Sequence, residues 1–595
     1  MQFFKTFLAS ILGTILGILI LVLILFATLV SSSAEPEPYI RSNTVLTINL
    51  PGGIPAKAVE DPVDELFNPE AGIRFSLETL KSTLKKAAAD DNIEAVWVKT
   101  NLVGSSWANL ETARGYFTDF KESGKPLYFS TDDIGMNEQS YFLATTADSI
   151  FSPPQTGFQF DGFVAQFTFY SDMLDKIGIE PEIFRVGEYK SAVEPFTNTS
   201  SSPESRQQTR EILNAATDTF VNAVMERTGY SAEEVNELLN TPPVDRVNFA
   251  LENGLIDAIA FEDEVEAMIK ARIGVEEDDD LTTVSFGRYG RVSYASAGVE
   301  MPETQDKIAV IYTSGAILPN LPDNPFGNTS GITASSVKKQ LDDALDDDNV
   351  KAIVVHINSP GGAVTTSDLI WHHLKTASEK VPVVASMGSV AASGGYYMAM
   401  GADTVMAAEN TITGSIGIFN LLFNFEEFFD DKIGIDYETL TTHEYADLYD
   451  LSDSFTPSER SVIQESIENG YEAFLARVAE NRGMTRDEVN VIARGRVYTG
   501  AAALEVGLVD LLGDVDRAIE VAAEMAEVEA YRVETFPKKK DIYEALFGSA
   551  NSQMKAMLTS WIPQQAKNDL TDVQMLLSQP LGMNWALLPI RIDID

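Results

Sequence analysis

The chain contains no cysteine and only four histidines among its 595 residues. The absence of cysteine excludes disulfide bonds, a thiolate nucleophile and any metal site built on cysteine ligands. Positive charge is also scarce, because 89 acidic residues outnumber 43 basic ones and leave a formal net charge of −46. Such a chain repels a phosphate backbone, so we expect no nucleic acid among its partners. A His-Glu-x-x-His motif and a phosphate-binding loop are absent as well, so we expect neither a metal nor a nucleotide cofactor.

Residues 7–30 are almost entirely apolar and carry no charge. A run of this length can span a bilayer as a helix, and it exceeds the usual apolar region of a cleavable signal peptide. Cleavage within Ser31–Glu35 is the alternative, but we expect an uncleaved, single-pass transmembrane anchor over residues 1–30 and a polar stalk over 31–43. Lys5 before the run places the N-terminus in the cytoplasm and the rest of the chain outside it, which in a bacterium is the periplasm.

From residue 44 onward, short apolar runs alternate with amphipathic segments, which predicts an α/β fold of parallel strands and crossover helices. The pattern ends in a polar, Gly/Ser-rich stretch and starts again near residue 307. Pairs of segments then match in order at a spacing of roughly 255 residues, namely 92–101 with 349–358, 141–148 with 396–403, and 250–257 with 503–510. We therefore expect a tandem duplication, with copies over residues 44–280 and 307–530 and a linker over 281–306.

Residues 531–595 match neither copy. They include the basic stretch Lys538–Lys540 and an apolar segment over residues 554–562. We expect a loosely packed C-terminal extension, and contact with the membrane surface or with a partner is the alternative.

The second copy contains the stretch Pro382–Asp403, which indicates a buried strand at residues 383–387, a tight turn at Gly388 and a small-residue helix from near Ser393. A serine there has its hydroxyl beside unpaired backbone N–H groups at a helix N-terminus. Gly394 adds no side chain that would block a substrate. The pattern is typical of an exposed nucleophile. A glycine-rich turn that merely packs a helix on a sheet is the alternative.

A second glycine-rich loop, Asn358-Ser-Pro-Gly-Gly362, follows a strand about 30 residues earlier. Its two glycines, Gly361 and Gly362, can turn backbone N–H groups toward a carbonyl oxygen. Together with the Gly394 N–H they predict an oxyanion hole. Pro-Gly-Gly alone is typical of an ordinary turn, but its combination with Ala-Ser-Gly-Gly favours the catalytic interpretation.

A nucleophilic serine needs a base. Among the histidines, only His443 is a serious candidate, because His356 falls within a strand and His372 and His373 fall on a helix. The other possibility is a lysine that burial keeps neutral.

Comparison of the two copies favours the lysine. The first copy has Lys190 where the second has Ala446, and the second has Ser393 where the first has Glu138. These complementary differences predict one composite site, with the serine from one copy and the lysine from the other. Ser415, in Thr413-Gly-Ser-Ile-Gly417, could orient the lysine amine through its hydroxyl, although a turn would also place a serine there.

The chain resembles the bacterial signal peptide peptidase A family in its long, two-copy form. The resemblance rests on residues 185–196, 358–362, 386–397 and 411–419. It implies a ClpP/crotonase-like fold in both copies and a serine endopeptidase with Ser393 as nucleophile and Lys190 as general base. It further implies remnant signal peptides as substrates, an anchor in the bacterial inner membrane, a periplasmic catalytic body and a homotetramer.

Two other functions remain as alternatives. Crotonase-type acyl-CoA chemistry uses a similar oxyanion hole without a serine nucleophile, but acyl-CoA esters are cytoplasmic and the predicted body is not. A membrane scaffold with an inactive site is the second alternative, and the presence of both Ser393 and Lys190 argues against it.

Overall fold

The computed structural model describes residues 13, 14, 17, 37–58, 73–242, 244–321, 331–538 and 585–587. Apart from three positions, the apolar run over residues 7–30 that is predicted to be a membrane anchor lies outside the described residues. Across the described ranges, no helix has both the length and the apolar character needed to cross a bilayer.

The first copy alternates strands with helices along most of its length. Its described strands are β1 (Thr44–Asn49), β2 (Ile93–Thr100), β3 (Leu127–Thr131), β4 (Gly135–Met136), β5 (Ser149–Ser152), β6 (Gly157–Phe158), β7 (Glu180–Arg185), β8 (Ala258–Ile259) and β9 (Thr283–Ser285). Its described helices are α1 (Leu77–Ala89), α2 (Trp107–Lys121), α3 (Glu138–Ala144), α4 (Ser171–Ile177), α5 (Glu194–Thr197), α6 (Pro203–Thr228), α7 (Ala232–Leu239), α8 (Arg246–Glu252), α9 (Glu262–Ile273) and α10 (Phe286–Tyr289), with a 3₁₀ helix at Ser191–Val193.

Six strands of the first copy form a parallel sheet in the order β8-β5-β3-β2-β1-β9. Apolar residues of β2 and β3 face both sides of this sheet, as expected for strands covered on both faces. Helices α1 and α2 pack on one face, and α9 packs on the other through Val265 and Ile269. The first copy is therefore a three-layer α/β/α unit.

The second copy repeats this alternation. Its described strands are β10 (Lys307–Ser314), β11 (Val350–Ser359), β12 (Gly361–Ala363), β13 (Val383–Ala392), β14 (Thr404–Ala407), β15 (Ile412–Gly414), β16 (Phe419–Asn424), β17 (Val497–Thr499), β18 (Leu511–Leu512), β19 (Arg532–Phe536) and β20 (Trp585–Leu587). Its described helices are α11 (Ala334–Leu345), α12 (Val364–Ser378), α13 (Gly394–Ala399), α14 (Pro457–Arg482), α15 (Arg486–Ile492), α16 (Gly500–Glu505) and α17 (Val515–Met525), with a π-helix at Phe428–Ile433.

The second sheet has the order β17-β15-β13-β11-β10-β19, and β14 pairs with the first half of β13 and with β18. All its ladders are parallel except the one between β15 and β17. Helix α17 covers one face, and helices α11 to α16 surround the other. The two copies thus share one layer arrangement.

Equivalent hydrogen bonds confirm the duplication. Tyr141 donates from its hydroxyl to the carbonyl oxygen of Leu255 at 2.8 Å, and Tyr396 donates to that of Leu508 at 2.7 Å. The helix caps correspond as well, because α6 begins at Ser202-Pro-Glu-Ser and α14 at Thr456-Pro-Ser-Glu, with the hydroxyl of the first residue accepting a backbone N–H in each. The predicted tandem α/β repeat is therefore present in the described residues.

A smaller third sheet joins the copies. Its order is β12-β20-β16-β7, so β7 of the first copy is a strand of a sheet that otherwise belongs to the second copy and the C-terminal segment. Strands β7 and β16 run antiparallel, with Arg185 opposite Phe419 and Glu180 opposite Asn424. This ladder fixes the position of the chain that follows β7.

The structure differs from the sequence-based expectation at three places. The tight turn expected at Gly388 is absent, because β13 continues through this residue to Ala392; Thr411 Oγ1 donates to the Gly388 carbonyl oxygen at 2.8 Å and Asn358 Oδ1 accepts from Val390 N at 3.2 Å. Side chains thereby satisfy the backbone groups that leave the parallel ladder.

The other two differences concern segments between and after the copies. Part of the expected linker over 281–306 forms β9, which pairs in parallel with β1, and α10, which packs in the first core through Phe286 and Tyr289. The expected extension from residue 531 begins with β19, an edge strand that pairs with β10. Apolar residues at Val284 and Phe536 are buried by these additions.

Candidate active site

Backbone hydrogen bonds between the copies place Lys190. After β7, the N–H of Val186 donates to the carbonyl oxygen of Ile418 at 3.1 Å, and the N–H of Tyr189 donates to that of Arg494 at 3.0 Å. The side chain of Lys190 therefore enters the second copy from the first, and it has no exposed surface.

Two glycines of the second copy make room for this lysine. A Cβ atom at Gly495 would lie 2.7 Å from both the N and the Cβ of Lys190, and a Cβ at Gly417 would lie 3.3 Å from its Cδ. Gly495 also has a φ of +80°, which L-residues with side chains rarely adopt. The burial of Lys190 thus requires glycine at position 495, whereas a side chain at Gly417 would first meet the Cα of Gly495, at 2.9 Å.

Ser393 lies between the end of β13 and the start of α13. Its φ of 54° and ψ of −114° lie outside the regions that non-glycine residues ordinarily occupy, and such backbone strain costs on the order of 1–3 kcal/mol. The Ser393 N–H donates to the carbonyl oxygen of Gly414 at 2.8 Å, and its carbonyl oxygen accepts from Tyr397 N at 2.8 Å. These bonds to β15 and to the first turn of α13 hold the residue in its strained conformation.

The lysine amine and the serine hydroxyl meet at this point. Lys190 Nζ lies 2.8 Å from Ser393 Oγ, 2.9 Å from Ser415 Oγ and 3.1 Å from the Ser415 carbonyl oxygen. Ser393 and Lys190 are 203 residues apart in sequence, and all three side chains are fully buried. The structure therefore brings together the three side chains Ser393, Lys190 and Ser415 that the sequence analysis singled out.

The protonation state of the amine follows from its surroundings. Burial lowers the pKa of Lys190 well below the usual value of 10.5, because the charged form loses its hydration. A neutral amine has two N–H donors and one lone pair. The carbonyl oxygen and Oγ of Ser415 can accept the two N–H groups, which directs the lone pair toward the hydroxyl of Ser393.

The loop Ser359–Gly362 lies beside the serine. Gly361 has a φ of 102°, and a Cβ atom at Gly362 would collide with the carbonyl oxygen of Ile317. A Cβ at Gly395 would lie 2.7 Å from the carbonyl oxygen of Ser359, so glycine at this position allows α13 to approach the end of β11. The Gly361 N–H donates to Ser359 Oγ at 3.1 Å. Of the three predicted oxyanion donors, Gly361 therefore already has an acceptor within the protein.

Glu138 occupies the position in the first copy that corresponds to Ser393. Its carboxylate accepts hydrogen bonds from the N–H groups of Asp161 at 2.7 Å and Gly162 at 3.1 Å. Burial raises the pKa of this carboxyl, and the two backbone donors oppose that shift. The equivalent position thus stabilises a loop instead of presenting a hydroxyl.

The histidine alternative has no support in the geometry. His443 is exposed, and its Nδ1 lies 3.0 Å from the hydroxyl of the adjacent Thr442. His356 is buried in β11, where desolvation lowers its pKa to about 4. Neither imidazole forms the hydrogen bond to Ser393 that Lys190 forms. Within the described ranges, no group of acidic and histidine side chains could hold a metal ion.

Gln208 is a residue at this site that the sequence analysis missed. From α6 it donates through Nε2 to Ser191 Oγ at 3.1 Å and accepts at Oε1 from the N–H of Val497 at 3.1 Å. It therefore connects the residue after Lys190 to β17 of the second copy. Gln208 and Thr209 follow Ser205 by three and four residues, so the three polar side chains share one buried face of α6. This spacing of polar residues was the signal in the sequence that could have identified Gln208.

Comparison with known proteins gives matches over both copies. The model of peptidase family S49 matches residues 119–276 and 375–529, and the Clp protease model matches residues 328–413. The chain is 33% identical over 497 residues to the chloroplastic serine protease SPPA of Arabidopsis thaliana, which covers 83% of this chain and 71% of the relative. It is 32% identical over 493 residues to Protease 4 of Salmonella typhi, with coverages of 81% and 77%.

A shorter relative matches as well. The putative signal peptide peptidase SppA of Enterococcus faecium is 29% identical over 248 residues, which is 41% of this chain and 72% of that protein. The predictions of a serine protease and of two tandem α/β copies are confirmed, and the Clp protease model matches within the second copy. Acyl-CoA chemistry and an inactive scaffold are set aside. Because the family model matches both copies and two long relatives align with most of the chain, this protein belongs to peptidase family S49.

Proposed function

We propose that Ser393 and Lys190 form a catalytic dyad in a membrane-anchored endopeptidase that degrades remnant signal peptides. The observation that carries the proposal is the 2.8 Å distance between Lys190 Nζ and Ser393 Oγ inside a fully buried site. Burial supports the role of a base, because only a lysine with a lowered pKa is neutral in a useful fraction of molecules near neutral pH.

The reaction proceeds in two steps. Neutral Lys190 takes the proton from Ser393, whose Oγ attacks the carbonyl carbon of the scissile peptide bond. The oxyanion accepts hydrogen bonds from backbone N–H groups at Gly394 and Gly362, each of which contributes about 10²–10³ in rate in comparable sites. Gly361 supports the loop through its bond to Ser359. Lys190 then protonates the leaving amine and activates the water molecule that hydrolyses the acyl-enzyme.

Ser415 acts as a positioning residue in this proposal. Its hydroxyl and its carbonyl oxygen both contact Lys190 Nζ, and its φ of 51° is held by the bond from its N–H to the carbonyl oxygen of Arg496. This geometry fixes the direction of the amine lone pair. Loss of the hydroxyl would leave the base present but less well oriented.

The proposal includes signal peptides as the substrate and the bacterial inner membrane as the location of the enzyme. The similarity to the putative signal peptide peptidase SppA of Enterococcus faecium supports signal peptides as substrates. The uncharged segment over residues 7–30 supports an anchor in the bacterial inner membrane with a periplasmic catalytic body, where apolar peptides released into the bilayer would be within reach. The chain would act as a homotetramer.

Labelling with a serine-directed fluorophosphonate tests the dyad. We expect rapid labelling of the wild type, none at residue 393 in Ser393→Ala, and labelling slowed at least about 100-fold in Lys190→Ala, which lacks the base. Ser415→Ala should fall between wild type and Lys190→Ala. Ser386→Ala removes a buried hydroxyl from the same strand and serves as the matched control. Equal labelling of wild type and Lys190→Ala would refute the role of the lysine.

A further inference from the structure

In the third sheet, β20 occupies the position between β12 and β16. Strands β12 and β16 do not pair with each other; instead β20 lies between them, antiparallel to both. Gly361, Gly362 and Ala363 face Leu587, Ala586 and Trp585 across one ladder, and Phe419 faces Trp585 across the other. Without β20, two strand edges would face a gap of one strand's width, which is the geometry that binds an extended peptide by strand addition.

This gap adjoins the candidate catalytic site. Gly362 in β12 is one of the proposed oxyanion donors, and β20 also contacts α13, the helix that Ser393 precedes. Ser393 itself has no exposed surface in this arrangement. A substrate peptide therefore cannot reach Ser393 Oγ until a neighbouring segment moves away.

The composition of the C-terminal segment fits such a binding site. Residues 573–590 contain no charged side chain, although the chain as a whole has a net charge of −46. An uncharged, largely apolar stretch has the chemistry of the peptides that the proposed function assigns as substrates. Residues 537–584 supply ample chain to reach from the end of β19 to the gap.

We propose that the chain's own C-terminal segment, through β20, occupies the peptide-binding gap between β12 and β16 and competes with substrate. The proposal rests on the proposed function for its consequence, because occupancy inhibits only if the gap receives substrate. The occupancy itself rests on the strand pairing alone. Release of β20 opens the gap, and rebinding closes it.

A cross-linking experiment tests the occupancy without any catalysis. Ala363→Cys and Trp585→Cys, introduced into the Ser393→Ala chain, place two thiols at directly opposed positions of an antiparallel ladder. Opposed Cα atoms there are about 4.5–5.5 Å apart, which a disulfide can bridge. The chain has no other cysteine, so any disulfide within one chain joins the introduced pair, and non-reducing electrophoresis separates this product from disulfide-linked dimers. The control pair combines Ala363→Cys with Ser578→Cys, which lies outside β20.

We expect the first pair to close under mild oxidation at least about tenfold faster than the control pair, since only the first is in register. Mass spectrometry of the non-reduced digest gives the readout. Equal rates for the two pairs would overturn the proposal. Because the Ser393→Ala chain is used, this result does not depend on whether the proposed peptidase mechanism is correct.

A second experiment measures competition in the full-length active chain. Ala586→Pro removes a backbone N–H from a strand that is paired on both sides, so β20 should leave the gap. We expect kcat/KM for a fluorogenic apolar peptide to rise by about tenfold or more, because an internal occupant lowers the apparent affinity in proportion to its occupancy. Ala556→Pro, in the same extension, should leave it unchanged. An unchanged or lower kcat/KM in Ala586→Pro, with wild type active, would overturn the inhibitory role.

Discussion

The side chain of Gln208 in the first copy accepts a hydrogen bond from the backbone N–H of Val497 in the second, with 3.1 Å between Oε1 and N. The same amide donates to Ser191 Oγ, so one buried side chain connects the segment that carries Lys190 to the sheet that carries Ser393. The composite site therefore depends on this contact between the copies as well as on the contact between Lys190 and Ser393.

Gln208→Leu should lower the free energy of unfolding by about 1–3 kcal/mol, because it leaves a buried N–H and a buried hydroxyl without their partners. It should also slow fluorophosphonate labelling of Ser393 by displacing Lys190. Urea denaturation and labelling kinetics measure the two effects. Gln207→Leu changes the adjacent, exposed residue and should shift stability by less than about 0.5 kcal/mol. Equal stability of the two variants would contradict the role of Gln208.

Substitutions of Lys190 should separate catalysis from stability. Lys190→Met fills the buried space with an apolar chain, so we expect peptide hydrolysis to fall at least about 100-fold without loss of thermal stability. Lys190→Arg should be inactive and less stable, since guanidinium stays charged and buries that charge beside two serines. Circular dichroism melting and hydrolysis of a peptide substrate give both readouts. A folded, active Lys190→Arg enzyme would rule out a neutral base.

The lowered pKa of Lys190 predicts a pH dependence with a definite sign. Between that lowered pKa and 10.5, the unfolded lysine binds a proton that the folded one does not, so the folded state gains stability as pH rises through this window. The difference in unfolding free energy between wild type and Lys190→Met should therefore move in favour of wild type with rising pH. The labelling rate should rise as pH passes through the lowered pKa of the folded amine and stay level above it, where the amine is already neutral. A rate that falls with increasing pH over this range would contradict the assignment.

The buried carboxyl of Glu111, at the interface between the copies, predicts a pH dependence of stability with the opposite sign. Its carboxyl accepts from Asn410 Nδ2 at 2.5 Å, and burial raises its pKa from 4.5 to about 7. A raised pKa contributes stability that is fully present below pH 4.5 and is lost as pH rises through about 7.

Glu111→Gln keeps the shape without the charge. We expect the variant to match the wild type near pH 4.5 and to exceed its unfolding free energy by up to about 3 kcal/mol above pH 7. Denaturation series at several pH values measure this. Glu226→Gln, at an exposed ion pair with Arg114, is the control and should show no such trend. Parallel pH curves for wild type and Glu111→Gln would refute the prediction.

The sequence was sufficient to identify the repeat, because alternation of apolar runs and amphipathic segments reflects the layers directly. The sequence was also sufficient to pair Ser393 with Lys190, since the first copy has Glu138 in place of the serine and the second copy lacks the lysine. The distances among Ser393, Lys190 and Ser415 required coordinates, because the lysine reaches the serine through an antiparallel ladder between β7 and β16 that no local pattern encodes.

The errors in the element boundaries predicted from the sequence also have a physical cause. The expected turn at Gly388 followed the usual meaning of glycine after an apolar run. The strand continues because two side chains distant in sequence replace hydrogen bonds that a neighbouring strand would otherwise make: Thr411 Oγ1 donates to the Gly388 carbonyl oxygen, and Asn358 Oδ1 accepts from the N–H of Val390. Strands β9 and β19 each add an edge to a sheet with few apolar residues of their own, so their sequences resemble linker and tail.

The two glycines that lie against Lys190 come more than 200 residues after it in the chain, which has a consequence for folding during synthesis. The lysine leaves the ribosome long before Gly417 and Gly495, so for much of translation Ser393 does not yet exist and the lysine amine remains in water with an ordinary affinity for protons. Only after Gly495 and the strand that follows it have been made can the side chain be enclosed. If the proposed dyad is the hydrolytic site, a nascent chain that ends before Ser393 has no hydrolytic activity, and activity arises only after the second copy folds around Lys190.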